Sequence, residues 1–156
     1  MKKAAIGVDI GGTSVKLGLV DGGGRILVRE DFTTRDFPKK ELFLKEMSRR
    51  ILSLSAEGRR RGYQVAGAGI GAPGPIDVEK GFVYFFPNIP GWKNTPLKRI
   101  LEKRLKTKVF VDNDANAMAL AEYLYGAGRG SRNMIALTLG TGVGGGIVLN
   151  GRLFHG

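Results

Sequence analysis

The sequence predicts an α/β fold, with a mixed sheet covered by helices and followed by the first strands of a second sheet. Three short runs of apolar and β-branched residues, at 3–9, 14–20 and 25–31, are separated by Gly-rich turn signals and predict consecutive antiparallel strands. Two later segments, 38–61 and 93–108, repeat apolar residues at three- and four-residue spacing, which is typical of amphipathic helices. Sheet strands connected by such helices favour an α/β architecture.

The first helix is predicted to begin at Pro38 and to place its apolar face on the sheet. That face comprises Phe43, Met47, Ile51 and Leu54. A strand at 65–71 then ends before Ala72-Pro73-Gly74-Pro75, because two prolines cannot continue the hydrogen-bond ladder of a sheet. An irregular stretch follows, and Thr95 and Pro96 are the expected N-cap and first position of the second helix.

Polar residues gather where the next predicted strand meets a third helix. The strand covers 109–111, and the helix of small and apolar residues covers 115–125. Asp112, Asn113 and Asp114 join the two, at the kind of strand end where open α/β sheets commonly bind ligands. This junction is therefore a candidate site.

A Gly-rich connector after the third helix indicates a domain boundary. We assign residues 1–126 to an N-terminal small domain, 127–133 to a hinge and 134–156 to the truncated beginning of a larger C-terminal domain. The strands of this last segment are expected to lack the helices that would bury their faces. An unpaired ribbon of this kind is marginal alone and tends to associate with another chain.

Composition limits the classes of protein to consider. The 156 residues are 42% hydrophobic, which is enough for a packed core. There is no cysteine, so this segment has neither a disulfide framework nor a thiolate metal site, and we expect a cytoplasmic protein. No apolar run approaches the roughly 18 residues needed to span a bilayer, so no membrane association is expected.

The formal net charge of +11 raises the question of nucleic-acid binding. Much of the excess lies in the segments 38–61 and 93–108, which also carry apolar faces. The basic residues are therefore interpreted as the solvated sides of surface helices. No recognition motif or series of aromatic residues for base stacking accompanies them, and we expect no nucleic-acid partner.

Two Gly-Thr loops have the composition of phosphate-binding loops. In the first, 9–13, the paired glycines let backbone N–H groups approach phosphate oxygens, Thr13 adds a hydroxyl, and Asp9 could hold a water of phosphate-bound Mg²⁺. The second, 139–146, repeats this pattern at the start of the second sheet. Alone, the first is equally consistent with a tight hairpin turn and the second with a flexible linker; together they are far more specific.

The Asn113-Asp114 pair allows a structural and a chemical interpretation. Asp114 or Asp112 could simply cap the following helix. A fixed carboxylate at Asp114 could also accept the proton of a sugar hydroxyl that attacks phosphorus, while Asn113 orients neighbouring hydroxyls. The two phosphate loops favour the second interpretation.

The order of six motifs resembles that of the glucokinase-like ROK family of sugar kinases, in the actin-like ATPase superfamily. The motifs are Asp-Ile-Gly-Gly-Thr (9–13), Gly-Ala-Pro-Gly-Pro-Ile-Asp (71–77), Pro-Asn-Ile-Pro-Gly-Trp (87–92), Asp-Asn-Asp-Ala-Asn-Ala (112–117), Ala-Glu (121–122) and Leu-Gly-Thr-Gly-Val-Gly-Gly-Gly (139–146). The resemblance covers the whole chain. It implies an actin-like ATPase (ribonuclease H-like) fold for the small domain, plus the first strands of a second such domain.

The resemblance also implies roles for individual residues. Asp114 would be the general base, and Asp9 would hold Mg²⁺ through a water. The phosphate-binding set would be Asp9, Gly11, Gly12, Thr13, Lys16, Gly140, Thr141, Gly142, Gly144 and Gly145. The sugar-binding set would be Gly71, Ala72, Asn88, Asn113 and Asp114. Trp92 is expected to pack in the core rather than to stack on a sugar.

The implied function is ATP-dependent phosphorylation of a hexose, with glucose to glucose 6-phosphate as the default, and with ATP, Mg²⁺ and the sugar as small-molecule partners. Kinases for N-acetylglucosamine, N-acetylmannosamine, fructose or allose share these motifs. A ROK-type sugar-responsive regulator without its DNA-binding domain is the alternative from another class. The first predicted strand begins at residue 3, which leaves no room for such a domain and favours an enzyme.

The family's Gly-Glu-x-x-His segment and structural zinc motif do not occur in this sequence. The resemblance implies that both, with the structural zinc, belong to a missing C-terminal half. We therefore expect this fragment to be inactive alone and the full-length protein to form a homodimer.

Overall fold

The computed structural model describes residues 2–139 and 142–155, and the chain forms two compact units, 1–112 and 113–156. Within the described residues, the first unit contains a five-stranded mixed sheet, two α-helices and a small three-stranded sheet. The second contains one α-helix and a three-stranded sheet. Gly140 and Thr141, which belong to the predicted second phosphate loop, lie outside the described residues.

The first unit begins with three antiparallel strands, as the sequence predicts. Its elements are β1 (Lys2–Ile10), β2 (Ser14–Asp21), β3 (Ile26–Thr33), a 3-10 turn (Thr34–Asp36), α1 (Lys40–Arg60), β4 (Tyr63–Ala72), β5 (Ile76–Asp77), β6 (Phe82–Phe85), β7 (Lys93–Thr95), α2 (Leu97–Leu105) and β8 (Val109–Asn113). The large sheet has the order β3-β2-β1-β4-β8. Because β1 is parallel to β4, both strands end at the same edge of the sheet.

The burial pattern of β1 identifies the face of the sheet that α1 covers. Every second residue is buried: Ala4, Ile6, Val8 and Ile10. This alternation follows from the two-residue period of a strand. The predicted stripe of α1, from Phe43 to Leu54, is buried in the same core, so the placement of this helix on the sheet is confirmed. Asp9 is exposed on the opposite face of the sheet.

The stretch predicted to be irregular before α2 forms a second sheet instead. Its strands β5, β6 and β7 pair antiparallel, and they are only two to four residues long. The predicted N-cap of α2 is also wrong. The cap position is Pro96, while Thr95 ends β7, where its hydroxyl donates to the Lys93 carbonyl at 3.1 Å and accepts from Lys40 Nζ at 3.3 Å. The hydroxyl of Thr95 thus bonds to other partners and does not cap the helix.

The second unit comprises α3 (Asp114–Tyr125), β9 (Met134–Leu139), β10 (Val143–Leu149) and β11 (Arg152–Phe154). The antiparallel order is β11-β10-β9. Contrary to the expectation of an uncovered ribbon, α3 packs on β9 and β10. The close approach of α3 to β10 requires a glycine at 146, since a Cβ on Gly146 would lie 2.5 Å from Ala119 Cβ. The compact units therefore divide before α3, whereas the predicted domain boundary follows it; the hinge at 127–133 stays a prediction.

The helices in the part of the chain that the structure describes include none that is long and apolar enough to cross a membrane.

Candidate active site

The first predicted phosphate loop, Gly11 to Thr13, joins β1 to β2 as a tight hairpin. The Gly11 N–H donates to the Ser14 carbonyl at 3.0 Å. A Cβ on Gly11 would lie 2.8 Å from that same carbonyl oxygen, so a side chain there would disrupt the turn. The motif therefore forms a tight hairpin turn, and its phosphate-binding role stays a prediction.

Three residues of the predicted site lie in one row across the large sheet. Asp9 on β1 pairs with Lys16 on β2 and with Gly71 on β4. The side chains of Asp9 and Lys16 are exposed on the face opposite the α1 core. The carboxylate supplies the hard oxygen that Mg²⁺ prefers, and the ammonium supplies positive charge suited to phosphate. The row lies next to the loop from Gly11 to Thr13 that joins β1 to β2.

Asn88 lies against the first phosphate loop, although the two are far apart in the sequence. A Cβ on Gly12 would lie 3.0 Å from Asn88 Cβ and 3.7 Å from the Asn88 carbonyl oxygen. The exposed Asn88 is flanked by residues anchored in the core: Phe86, Ile89 and Trp92. The Phe86 ring stacks on Trp92 at 4.6 Å, and the Phe86 N–H donates to the Trp92 carbonyl at 3.2 Å.

Trp92 is only 2% exposed, and its ring also meets Phe43 edge-on at 5.2 Å. The prediction that it packs in the core is confirmed. Its contribution to the site is to hold the segment that carries Asn88.

Gly71 and Ala72 form the end of β4, beside the end of β1. Both residues are buried, and the side chain of Ala72 belongs to the core. A ligand at this edge would therefore meet their backbone rather than a side chain, and their sugar-binding role stays a prediction.

Thr34 contacts the first phosphate loop, and the sequence gives no signal for it. Its hydroxyl donates to the Gly11 carbonyl at 2.8 Å, and its backbone N–H donates to the Thr13 carbonyl at 2.9 Å. The residue is 5% exposed. A threonine just after a strand is ordinary in sequence, and the partner of its hydroxyl, Gly11, is 23 residues away. Only the pairing of β2 with β3 brings the two together.

In the second unit, the structure assigns the cap of α3 to Asn113. Its Oδ1 accepts hydrogen bonds from the N–H groups of Ala115 at 3.0 Å and Asn116 at 3.4 Å. The structural alternative weighed for Asp114 and Asp112, that one of them is the N-cap, is therefore not the arrangement in the structure. Asp114 is the first helical residue, its Oδ1 accepts from Ala115 N–H at 2.8 Å, and the residue is exposed.

The second predicted phosphate loop is shorter than the sequence suggests. β10 begins at Val143, so Gly144 and Gly145 pair with Thr138 and Leu137 of β9. A Cβ on Gly144 would lie 2.5 Å from Thr138 Oγ1, which gives this glycine a packing role. At Gly142, by contrast, an added Cβ would meet no described heavy atom within 4 Å. The phosphate-binding roles of these residues stay predictions.

Several arginines in α1 and at its C-terminal end form ion pairs with glutamates of the helix. Hydrogen bonds from Arg49 and Arg50 hold the pKa of Glu46 at about 2, well below its ordinary value. Hydrogen bonds from Arg60 and Arg61 lower the pKa of Glu57 to about 2 in the same way. This arrangement agrees with the interpretation of the segment as the charged side of a surface helix.

The ROK family model matches residues 5–156 of this chain. The glucokinase of Thermotoga maritima is 46% identical over 99% of the chain and 47% of its own length. Among solved structures, a ROK family glucokinase from Streptomyces griseus in complex with glucose and AMPPNP is 43% identical, with a TM-score of 0.81, over 98% of this chain and 46% of that one. The ROK hexokinase from Thermus thermophilus is 37% identical, with a TM-score of 0.80, and the match covers 100% of this chain and 49% of that one.

These similarities confirm the predicted fold class, that of the actin-like ATPases. The chain spans about half the length of the curated relatives it matches.

Proposed function

The chain belongs to the ROK family, and we propose that it forms part of an ATP-dependent hexose kinase that phosphorylates glucose. The observation that carries the proposal is the meeting of Gly12 with Asn88 beside the row of Lys16, Asp9 and Gly71. A candidate phosphate loop and a candidate sugar ligand therefore share one edge of the first unit. The similar Streptomyces griseus glucokinase, solved with glucose and AMPPNP, supports both ligand classes.

The reaction would transfer the terminal phosphoryl group of ATP to a sugar hydroxyl. The hydroxyl oxygen forms a bond to phosphorus, the bond between the terminal phosphorus and the bridging oxygen breaks, and ADP leaves. Asp114 takes the proton of the hydroxyl, because a carboxylate is a suitable acceptor when the oxygen loses electron density to phosphorus. The position of Asp114 as the first residue of α3 fixes its backbone.

The phosphates would be held by the loop from Gly11 to Thr13 and by the charge of Lys16. Backbone N–H groups and an ammonium stabilise the negative charge that spreads over the transferred group. Mg²⁺, bound to the phosphates, would neutralise part of that charge, and the exposed carboxylate of Asp9 suits one of its waters.

The sugar would contact Asn88, Asn113 and the backbone of Gly71 and Ala72. Asn113 would act mainly as a donor, since its Oδ1 already accepts two N–H groups of α3. A donor at this position matches the lone pairs of sugar hydroxyls. Other hexoses present the same groups. Glucose is the default, because relatives at 41–46% identity are named glucokinases.

Glucose binding by this chain can be measured through the side-chain NH₂ resonances of Asn88 and Asn113 in ¹⁵N NMR. We expect both to shift in a saturable way with glucose and to stay unchanged with sorbitol, which has the same hydroxyls but no ring. Equal responses to the two compounds, or no response to glucose, would contradict a hexose site.

A further inference from the structure

Thr34 bonds to both carbonyl groups that flank the Gly12-Thr13 pair. Its hydroxyl donates to the Gly11 carbonyl at 2.8 Å, and its own N–H donates to the Thr13 carbonyl at 2.9 Å. The residue begins the 3-10 turn after β3 and is 5% exposed. One buried side chain therefore fixes a loop that joins two other strands.

The hydrogen bond from Thr34 decides which way the peptide between Gly11 and Gly12 faces. A peptide bond is planar and trans, so its N–H points opposite to its carbonyl. With the Gly11 carbonyl bound to Thr34, the Gly12 N–H points away from Thr34. The Gly11 N–H already donates to the Ser14 carbonyl at 3.0 Å within the hairpin.

This orientation matters because a phosphate site needs donors. A peptide between two glycines has little steric preference, so it can rotate to present either its N–H or its carbonyl. A carbonyl turned toward phosphate would repel the anion, whereas an N–H attracts it. By binding the Gly11 carbonyl, the hydroxyl of Thr34 favours the orientation in which the Gly12 N–H is the group presented, before any ligand binds.

We propose that Thr34 is a positioning residue of the first phosphate loop, and that its hydroxyl holds the Gly11-Gly12 peptide with the Gly12 N–H available to a phosphate oxygen. The inference rests on the proposed function, since it concerns the same phosphate site. Thr34 acts through the loop and does not itself contact the ligand.

Substitutions at Thr34 can separate the hydroxyl from the rest of the side chain. Thr34→Val keeps the branched shape and the backbone hydrogen bond to Thr13, and removes only the bond to Gly11. Thr34→Ser restores the hydroxyl. Thr33→Val is the matched control, because Thr33 is the preceding, exposed residue of β3. Thr34→Ala removes the hydroxyl without the second methyl group of valine.

The test is a ¹⁵N NMR titration of the 156-residue chain and its variants with inorganic tripolyphosphate, with Mg·ATP and with glucose. In the parent chain, the Gly12 amide is expected to shift with both phosphate compounds. Thr34→Val should raise the dissociation constants for both by roughly three- to tenfold, the worth of one hydrogen bond. Glucose affinity should change less than about twofold. Thr34→Ser and Thr33→Val should bind like the parent.

Unchanged phosphate affinity in Thr34→Val would refute the role of Thr34 alone and leave the proposed function intact. An equal loss of glucose and phosphate affinity would reduce Thr34 to a general structural residue and also overturn the inference, as would unfolding of both Thr34→Val and Thr34→Ala. If the parent chain binds neither phosphate compound, the first phosphate loop of the proposed function fails, and the role of Thr34 fails with it.

Discussion

Gly12 is the residue at which the two candidate ligand sites touch. From the sequence alone, Gly12→Val is expected to weaken nucleotide binding with modest effects on sugar binding. The structure extends this expectation, because a Cβ on Gly12 would lie 3.0 Å from Asn88 Cβ and would displace it. We therefore predict that Gly12→Ala weakens both ATP and glucose binding, by roughly three- to thirtyfold each, as calorimetry can measure.

Gly69→Ala is the control for this prediction. Gly69 lies in β4, and an added Cβ there would meet no described heavy atom within 4 Å. This variant should bind both ligands like the parent chain. Normal glucose affinity in Gly12→Ala would show that the contact with Asn88 has no part in sugar binding.

At the residue scale, a local motif carries the clearest signal for the candidate site. The paired glycines after Asp9 indicate a close approach of phosphate to the backbone, which stays a prediction. The structure gives each of Gly11 and Gly12 a near neighbour within the protein. Thr34 could not be predicted, since its role depends on a strand pairing across 23 residues. Local sequence also could not decide among Asp112, Asn113 and Asp114 as the cap of α3, because all three residue types suit that position.

Among the elements, the ion pairs of α1 predict that the stability of the fold depends on pH. The pKa of Glu46 lies at about 2 in the folded chain, below its ordinary value of 4.5, because Arg49 and Arg50 bond to the charged form. The group therefore stabilises the fold above about pH 4.5, and this contribution is lost as the pH falls toward 2. The pairs are partly exposed, so the effect should be about 0.5–1 kcal/mol.

Glu46→Gln should accordingly lower the free energy of unfolding at pH 7, and the difference from the parent should disappear near pH 2. Urea unfolding at a series of pH values measures this. Glu79→Gln is the control, because Glu79 is exposed and forms no ion pair among the described residues. A difference that persisted at pH 2 would assign the effect to packing rather than to charge.

The long elements could be predicted from the sequence, and the short ones could not. α1 and the first three strands have clear periodic patterns, and they occur as predicted. β5, β6 and β7 span two to four residues among prolines and glycines, which is too short for a period to appear. Pairing with one another, rather than local propensity, makes them strands.

For the molecule as a whole, one face of the second unit's sheet is both apolar and exposed among the described residues. Four side chains of β9 and β10 on this face are 64–82% exposed: Ile135, Leu137, Leu139 and Val143. The opposite face carries the buried Val148 and packs on α3. Exposed aliphatic residues on one strand face favour association, since burying each contributes about 1.5–3 kcal/mol.

We therefore predict that the 156-residue chain associates with itself at micromolar concentration, as sedimentation velocity can show. Leu137→Lys should shift the distribution toward the monomer, because a charge cannot be buried in that face without cost. Leu42→Lys is the control, since Leu42 is similarly apolar but lies on α1. A monomeric parent chain at high concentration would contradict the prediction.

The division of the chain shows why domain limits were harder to predict than elements. The Gly-rich connector after α3 is the visible signal in the sequence, yet α3 packs on β9 and β10 and the compact units divide before it. The packing depends on small residues on both sides, such as Ala119 and Gly146, which have no obvious pattern in sequence. That residues 127–133 act as a hinge and that the full-length protein forms a homodimer both stay predictions.

Steady-state kinetics of Asp114→Ala provide the sharpest test of Asp114 as the general base of a glucose kinase. The measurement needs a protein of the relatives' full length that carries this chain, since we expect the 156 residues alone to be inactive. Glucose phosphorylation should show a kcat lower by roughly 10²- to 10⁴-fold, the range for loss of a general base, with little change in the KM for ATP. Near-normal turnover in Asp114→Ala would contradict the role of Asp114 as the base, and no glucose phosphorylation by the parent protein would contradict a glucose kinase.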